Sequence, residues 1–330
     1  MWKALKSLIL ATILSLILTR PVSASEGQVL GIHILNPGEL DEAIELIQPQ
    51  TPQASDKWQY VTIPLTLNDL EKRDEWQTFF DRAREKKVIP LVRLTSSFEN
   101  GAWKVPNRKE TTNLITFLGS LKWPTDQKHI IVFNEVNHAK EWGNRIDPAE
   151  YARVLRFTAD WAHSEQKNFI VLPAAMDLAA PNGSVTREAF TYLNQMVEAD
   201  SEILNVVDAW NSHSYPNPGF SSSPTRTAQN SLRGFEHELT FLKQKTGRDF
   251  PVFITETGWV VNRQTSRWLE SYYEYALQHI WSHPQVVAVT PFVLRGDPGP
   301  FSGFTFLDKN NQPTVQYTAL QKAMAKFGEI

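Results

Sequence analysis

Two apolar stretches of this sequence each end in a glutamate. Residues 130–133 are followed by Asn134 and Glu135, and residues 253–255 are followed by Glu256. A buried strand that stops at a carboxylate brings that group to the surface where the strand ends. A single glutamate in this position is usually a solvated side chain. Two stretches built alike instead indicate a pair of carboxylates that act on one substrate.

The elements around these glutamates alternate between apolar strands and helices. We predict strands at 28–35, 58–65, 88–94, 130–134, 169–176, 206–212, 252–255 and 286–294. Helices are predicted at 39–47, 69–87, 109–121, from 147 onward, 186–197, 225–245, 266–283 and 315–327. This alternation is typical of an α/β protein with a parallel sheet, and eight units predict a single (β/α)8 TIM barrel. The strands are near-continuous apolar runs, as expected for strands that are buried on both faces.

In this register both glutamates lie at the same end of the barrel. Glu135 ends the fourth strand and Glu256 ends the seventh, so both side chains reach the C-terminal mouth, where TIM-barrel enzymes hold their active sites. Hydrolysis of a glycosidic bond needs two facing carboxylic groups. One protonates the leaving oxygen, and the other attacks the anomeric carbon or activates water.

The residues Asn134-Glu135 on strand four and Glu256 on strand seven resemble the retaining (β/α)8 glycoside hydrolase superfamily of the cellulase and β-1,3-glucanase type. The resemblance implies that Glu135 is the general acid and base and that Glu256 is the nucleophile. It also implies that Asn134 holds the 2-hydroxyl group of the sugar. Glu135 must then carry a proton at the start of the cycle, and Glu256 must be ionised among hydrogen-bond donors.

The same resemblance implies supporting residues near the nucleophile. In the family, an aromatic residue or a histidine at the end of strand six contacts the nucleophile, and either His213 or Tyr215 is suited to this role. Many members carry an arginine on strand two, but this sequence has none there. Arg93 on strand three is the candidate replacement, because a cation in an apolar strand needs a partner. A purely structural ion pair is the alternative for Arg93.

Aromatic side chains form the other part of a sugar site, because the apolar faces of pyranose rings stack on flat rings. Trp259 directly follows the proposed nucleophile strand and is the first candidate. Trp142, Trp210 and Trp103 are further candidates. Packing in the core is the alternative for each of these tryptophans.

The N-terminus has the pattern of a secretory signal peptide over residues 1–24, followed by a catalytic domain over 25–330. Lys3 and Lys6 precede an apolar run at 8–18, and small residues at 22–24 suit cleavage. The run is shorter than the roughly 20 residues that span a bilayer, although an uncleaved anchor is the alternative. We therefore expect a secreted or periplasmic protein with no stable membrane association after cleavage.

Composition excludes several other classes of protein. Loss of the three cations in residues 1–24 moves the formal charge from −3 to −6, so there is no basic surface for nucleic acid. The sequence has no cysteine and therefore no disulfide, thiolate zinc site or cysteine nucleophile. It also lacks the motifs of zinc proteases, P-loop and dinucleotide-binding proteins and serine esterases. His33 stands alone on strand one, so we expect no metal and no cofactor.

We predict a secreted, endo-acting, retaining β-glycosidase that works as a monomer on a polysaccharide or oligosaccharide. The alternative is a non-catalytic carbohydrate-binding or cell-wall-associated protein on a degenerate hydrolase barrel. The distance between the carboxyl groups discriminates between these readings. About 5–5.5 Å fits a retaining enzyme, about 6.5–9.5 Å fits an inverting enzyme, and a much larger separation excludes catalysis by this pair.

Overall fold

The computed structural model describes residues 30–48 and 57–328. The predicted signal peptide lies outside the described residues. The barrel strands are β1 (Ile32–His33), β2 (Gln59–Leu65), β3 (Val88–Leu94), β4 (Lys128–Val132), β5 (Phe169–Pro173), β6 (Trp210–Ser212), β7 (Val252–Ile254) and β8 (Val286–Val289). The helices are α1 (Leu40–Ile47), α2 (Arg73–Glu85), α3 (Arg108–Ser120), α4 (Pro148–Glu165), α5 (Ala189–Ala199), α6 (Gly234–Thr246), α7 (Leu269–His279) and α8 (Val315–Gly328). Within the described ranges, no helix combines the length and the apolar character needed to cross a membrane.

The strands are parallel and follow one another around a ring. Strands β1 to β5 form one sheet in sequence order, and β6 to β8 form a second. Single parallel bridges join the two sheets at both seams, between Leu30 and Val289 and between Asp177 and His213. At the first seam the Gly31 amide also donates to the Val289 carbonyl at 2.8 Å. The predicted (β/α)8 TIM barrel is therefore confirmed.

The second half of the barrel shows where helix boundaries depend on packing. Helix α6 begins at Gly234, nine residues later than the predicted start at 225. The Phe235 amide at its start donates to Ser214 Oγ at 2.9 Å, which ties the helix to the segment after β6. A side chain at Gly234 would collide with Leu178. Glycine at the first position of the helix therefore allows the backbone to pack closely against Leu178.

The core has two layers, as expected when both faces of a closed sheet are buried. Side chains inside the barrel form a small cluster that includes Tyr60, Leu91, Ile131, Leu172 and Phe253. A much larger apolar cluster fills the space between the strands and the surrounding helices. These two layers hold the strand ends rigidly and so position the side chains at the mouth.

His129 is a polar residue inside the barrel. Its ring packs against Tyr60 and Phe253, with centroid separations of 6.1 and 5.4 Å. Among the described residues, neither of its ring nitrogens has a hydrogen-bond partner. Burial lowers the pKa of His129 to about 4. A histidine with a lowered pKa in the folded state binds a proton more readily in the unfolded chain, so it makes folding less favourable as pH falls from about 6.5.

We expect His129→Leu to stabilise the protein. The substitution removes two unpaired polar atoms from the core, each of which costs about 1–3 kcal/mol. The increase in the free energy of unfolding relative to the wild type should be larger at pH 5 than at pH 7. Urea unfolding at the two pH values is the measurement. Val287→Leu, at another buried position in the same cluster, controls for a change in volume alone. A His129→Leu protein that is less stable at both pH values would contradict this account.

Candidate active site

A cavity of about 690 Å³ opens at the C-terminal mouth of the barrel. Its volume lies in the range of small-molecule sites. Side chains at or just after the ends of several strands line it, among them Arg93, Asn134, Glu135, Tyr215 and Glu256. The structure therefore brings together residues that lie up to 163 positions apart in the chain.

Glu256, which follows β7, has hydrogen-bond donors on both carboxyl oxygens. Arg93 Nη1 donates to Oε1 at 2.5 Å. The Tyr215 hydroxyl donates to Oε2 at 3.2 Å. His33 Nδ1 lies 3.7 Å from Oε1 and 3.3 Å from the Thr255 carbonyl. These contacts fix the carboxylate in one orientation at the floor of the cavity.

The electrostatic surroundings keep Glu256 ionised. Burial by itself raises the pKa of this carboxyl group, but the positive charges of His213 and Arg93 outweigh burial and lower the pKa to about 2. His33 contributes as a neutral ring near pH 7, because burial and then the Arg93 charge lower its pKa to about 3. A buried carboxylate that stays charged over the whole neutral range suits a nucleophile.

Arg93 joins two of the predicted site residues. Its Nη1 donates to Asn134 Oδ1 at 2.8 Å as well as to Glu256. A guanidinium held by β3 thus lies against the carboxylate that follows β7. The structure places Arg93 beside Glu256 and provides the ion pair that a buried cation requires.

Glu135 is aimed into the cavity by an unusual backbone. Phe133 and Glu135 have φ values of 71° and 29°, and such positive values are uncommon for residues other than glycine. The turn that they form directs Glu135 towards His213, whose Nδ1 lies 2.8 Å from Glu135 Oε1. Ligand atoms of Glu135, His213 and Glu256 all lie within 4.8 Å of one another. Backbone strain of this kind is frequent at functional sites.

His213 and Tyr215 both point towards the carboxyl groups of the site and contact different ones. Tyr215 contacts Glu256, while His213 Nδ1 is hydrogen-bonded to Glu135 and lies 3.7 Å from Glu256 Oε2. Burial lowers the pKa of His213, but the charges of Glu256 and Glu135 and the hydrogen bond to Glu135 produce a net increase. The two carboxyl groups on either side of His213 thus favour the protonated form of its ring.

A family model described as glycosyl hydrolase catalytic core matches residues 93–317. The chain belongs to the glycosyl hydrolase catalytic core family. This family assignment confirms the predicted resemblance to barrel glycoside hydrolases. A search of curated protein sequences finds no match.

Solved glycoside hydrolases share the fold of this catalytic core at low sequence identity. A family 39 glycoside hydrolase from Bacteroides cellulosilyticus WH2 is 14% identical, with a TM-score of 0.59 over 91% of this chain and 64% of that one. This chain thus spans less than two thirds of that enzyme. An endo-β-1,4-glucanase from Xanthomonas axonopodis pv. citri is 14% identical, with a TM-score of 0.56 over 91% and 99% of the two chains. A β-glucanase from Saccharophagus degradans is 16% identical, with a TM-score of 0.52 over 90% and 87%.

The predicted roles of Trp259 and Trp210 as sugar platforms in this catalytic core are wrong. Both rings are fully buried. Gly258 has a φ of 125°, and the next residue packs its indole against Tyr273 of α7 with a centroid separation of 5.2 Å. Trp210 instead points to the outer side of β6, where its Nε1 donates to Glu238 at 3.1 Å.

Trp142 borders the cavity but does not offer a free ring. Its side chain is fully buried, Phe133 packs against it at 5.8 Å, and its Nε1 donates to Glu150 at 3.1 Å. Its predicted role in stacking is therefore also wrong. Trp103 is the one tryptophan candidate that is both partly exposed and on the cavity wall.

Phenylalanines supply most of the other aromatic wall. Phe220 and Phe301 are 38% and 45% exposed and line the cavity together with Phe304. Phe220 comes from the loop after β6, and the other two come from the loop after β8. Sequence reasoning missed these residues, although the long loops that carry them were a usable signal. Aromatic residues within long loops at the C-terminal face are candidates for substrate contact.

Three further polar residues on the cavity wall were also missed. Glu141 and His138 come from the loop after β4, and Asp177 comes from the segment after β5. His138 Nε2 and Asp177 Oδ2 are 2.8 Å apart, and this contact is the main cause of the raised pKa of His138. The signal in the sequence was the number of ionisable residues just after the Asn134-Glu135 pair.

Glu135, His213 and Glu256 also present three potential metal ligands within 4.8 Å. Glu256 Oε1 already accepts the hydrogen bond from Arg93 at 2.5 Å. A fixed guanidinium at that oxygen repels a second cation. The arrangement is better suited to acid–base and nucleophilic chemistry on an organic substrate than to holding a metal.

Proposed function

We propose that this glycoside hydrolase is a secreted, endo-acting enzyme that cleaves β-linked polysaccharides with retention of configuration. The observation that carries the proposal is the proximity of the carboxyl groups of Glu135 and Glu256, which have oxygens within 4.8 Å of one another. Retaining enzymes hold their two carboxyl groups about 5–5.5 Å apart, because one of them must reach the anomeric carbon directly. Inverting enzymes leave room for a water molecule.

In the first step, Glu256 attacks the anomeric carbon while Glu135 gives its proton to the glycosidic oxygen. The bond between that carbon and oxygen breaks as the bond to the Glu256 carboxylate forms. Arg93 and Tyr215 hold the attacking carboxylate through their hydrogen bonds of 2.5 and 3.2 Å. The leaving sugar departs with the proton from Glu135.

In the second step, Glu135 acts as a base. It takes a proton from a water molecule, and the water oxygen attacks the anomeric carbon. The carboxylate of Glu256 is released, and both glutamates return to their starting states. Two displacements at the same carbon restore the β configuration.

Asn134 is placed to hold the sugar that reacts. Its Oδ1 accepts from Arg93 at 2.8 Å, and its Nδ2 lies 3.4 Å from Glu141 Oε2, which leaves the second N–H of that amide group for a substrate hydroxyl. A donor beside the nucleophile suits the 2-hydroxyl group, whose hydrogen bonds strengthen in the transition state.

The aromatic wall and the fold relatives support a glucan-type polymer as substrate. Exposed Phe220 and Phe301 and partly exposed Trp103 offer flat surfaces for sugar rings. Solved structures with the same fold include an endo-β-1,4-glucanase and an enzyme in complex with cellopentaose. A cavity of about 690 Å³ is in the upper part of the range for small-molecule sites and suits more than one sugar unit.

The test is hydrolysis of a panel of β-glucans, mannans, xylans and galactans, followed by NMR of the products of the substrate that reacts. We expect the β anomer to appear first, with the α anomer growing only by mutarotation. Products of intermediate length early in the reaction would indicate endo action. An α anomer that appears first excludes retention. Binding of a polysaccharide without hydrolysis would favour the non-catalytic alternative.

Export is proposed from the pattern of residues 1–24. Expression of the full chain should yield a processed protein outside the cytoplasmic membrane whose N-terminus lies near Ser25. N-terminal sequencing of that fraction is the measurement. A protein that stays in the membrane fraction with residues 1–24 intact would instead support an uncleaved anchor.

A further inference from the structure

Glu238 is a buried carboxyl group that has no role in the double displacement. It lies on α6, and its side chain is completely buried between that helix and β6. Trp210 Nε1 donates to its Oε1 at 3.1 Å, and Ser212 Oγ donates to its Oε2 at 2.5 Å. Hydrogen bonds from such neutral donors offset the cost of burying a carboxyl group only in part. This cost points to a contribution beyond packing.

The two partners of Glu238 occupy the outer face of β6. Successive side chains of a strand point to opposite faces of the sheet, so Trp210 and Ser212 alternate with residues that point inward. The inward-facing residues that follow are His213 and Tyr215, which contact the two carboxyl groups of the site. Glu238 is therefore bound to the back of the segment whose front holds both of these residues.

Hydroxyl groups extend this contact past the end of the strand. Strand β6 ends at Ser212, before the two residues that contact the carboxyl groups. Ser212 Oγ lies 2.7 Å from Ser214 Oγ, which accepts from the Phe235 amide of α6 at 2.9 Å. Because each hydroxyl has one proton, the Ser214 hydroxyl donates to Ser212 and the Ser212 hydroxyl donates to Glu238. The row of hydrogen bonds thus begins and ends on α6.

The same segment is connected to the strand that carries the nucleophile. The pairing of β6 with β7 ends at Ser212 and Ile254. Further along, the hydroxyl of Thr257, the residue after Glu256, donates to the Ser214 carbonyl at 2.7 Å. Side chains therefore continue the connection between the two strand ends where the backbone pairing stops. Such hydrogen bonds behind a site hold its side chains in the productive geometry.

We propose that Glu238 is a positioning residue, which fixes the segment that carries His213 and Tyr215 from the outer face of β6. The hydroxyl groups of Ser212 and Ser214 transmit the constraint, and Glu238 itself touches no reacting atom. The inference rests on the proposed function, because the two positioned residues hold the carboxyl groups that act on the glycoside. A shift of about 1 Å in such groups can lower a rate by about 100-fold.

The test is the Glu238→Gln variant, which keeps the size of the side chain but offers an acceptor oxygen to only one of its two donors. The cavity wall is unchanged, so KM on the best substrate of the panel should stay within about 2-fold of the wild type. Both kcat and kcat/KM should fall roughly 10-fold or more. Ser212→Ala, which breaks the row and leaves the charge of Glu238, should give the same result. It is also the test variant if Glu238→Gln does not fold.

Glu236→Gln is the matched control. Glu236 lies on the same helix, is partly exposed and forms an ion pair with Arg233 of its own segment. This replacement makes the same chemical change, and we expect the kinetic constants of the wild type. Leu242→Val, at a buried position on α6, controls for a loss of stability alone. It should lower the free energy of unfolding in urea and leave kcat unchanged.

A second readout requires no substrate. His213 Nδ1 lies 2.8 Å from Glu135 Oε1, and the NMR signals of the ring nitrogens respond to this contact. They are assigned by their loss in His213→Gln. The signals should shift in Glu238→Gln and in Ser212→Ala, where no charge is removed, and should stay in place in Glu236→Gln.

The proposal is overturned if Glu238→Gln and Ser212→Ala keep the kinetic constants of the wild type. It is also overturned if the ring-nitrogen signals of His213 are unchanged in Ser212→Ala, or if Leu242→Val loses as much kcat as the two test variants. A wild-type protein that hydrolyses no glycoside refutes the proposed function instead. The ring-nitrogen signals then still decide whether Glu238 positions this segment.

Discussion

Glu256→Ala is expected to lower kcat/KM by about 10⁴-fold or more, in line with the loss of a nucleophile in other enzymes. The alanine side chain cannot form the covalent glycosyl intermediate, and no other described carboxylate is held by both Arg93 and Tyr215. The measurement is steady-state hydrolysis of the best substrate from the panel. Circular dichroism of the variant should show that the barrel remains folded.

Addition of azide makes this prediction sharper. Azide fits the space that the carboxylate leaves, and it can attack the anomeric carbon from the same side as Glu256. With a β-linked aryl glycoside, Glu256→Ala should therefore produce an α-glycosyl azide, identified by NMR. The control Glu99→Gln, at an exposed glutamate whose carboxyl oxygen lies 4.0 Å from Lys104 Nζ, should give no azide product. A Glu256→Ala protein that retains wild-type activity would falsify the assignment of the nucleophile.

Glu135→Ala should have the second largest effect, and the size of that effect should depend on the leaving group. Loss of a general acid costs about 10²–10⁴-fold with a natural glucan, whose leaving oxygen must be protonated. A dinitrophenyl glycoside needs no proton, so the first step should persist and the covalent intermediate should accumulate. Stopped-flow measurement should show a burst of dinitrophenolate followed by slow turnover.

Azide distinguishes the two glutamates by stereochemistry. In Glu135→Ala, azide replaces water in the second step and attacks the intermediate on Glu256, so the product should be the β-glycosyl azide. The two alanine variants thus predict opposite anomers from one substrate. The reverse pairing of anomers would exchange the roles of the two residues, and equal losses on both substrates would exclude Glu135 as the acid.

The barrel could be predicted because its signals are local. Apolar runs that alternate with helices specify a parallel α/β fold, and the register of eight units places residues 134–135 and 256 at one mouth. The family resemblance implied an arginine near the nucleophile, and the need of a buried cation for a partner favoured Arg93 as its replacement. The structure then shows this cation donating to both Asn134 and Glu256.

The errors concern side chains beyond the ends of strands. Trp259 lies three residues after Glu256, close in the chain, but the turn at Gly258 sends its ring into the layer beneath α7. Phe301 lies far from either glutamate in the sequence but lines the cavity. Distance along the chain does not indicate which side of a loop faces the site.

The class of fold, the order of the strands and the two strand ends that present Glu135 and Glu256 could be predicted from the amino-acid sequence. These features follow from hydrophobic period and element length, which each segment carries on its own. Three features became known only from the folded chain: His213 lies between both carboxyl groups, Glu141 faces Asn134, and phenylalanines form the cavity wall. Those contacts join side chains from separate loops, and left-handed backbone positions such as Glu135 set their directions. No local pattern in the sequence encodes such long-range contacts.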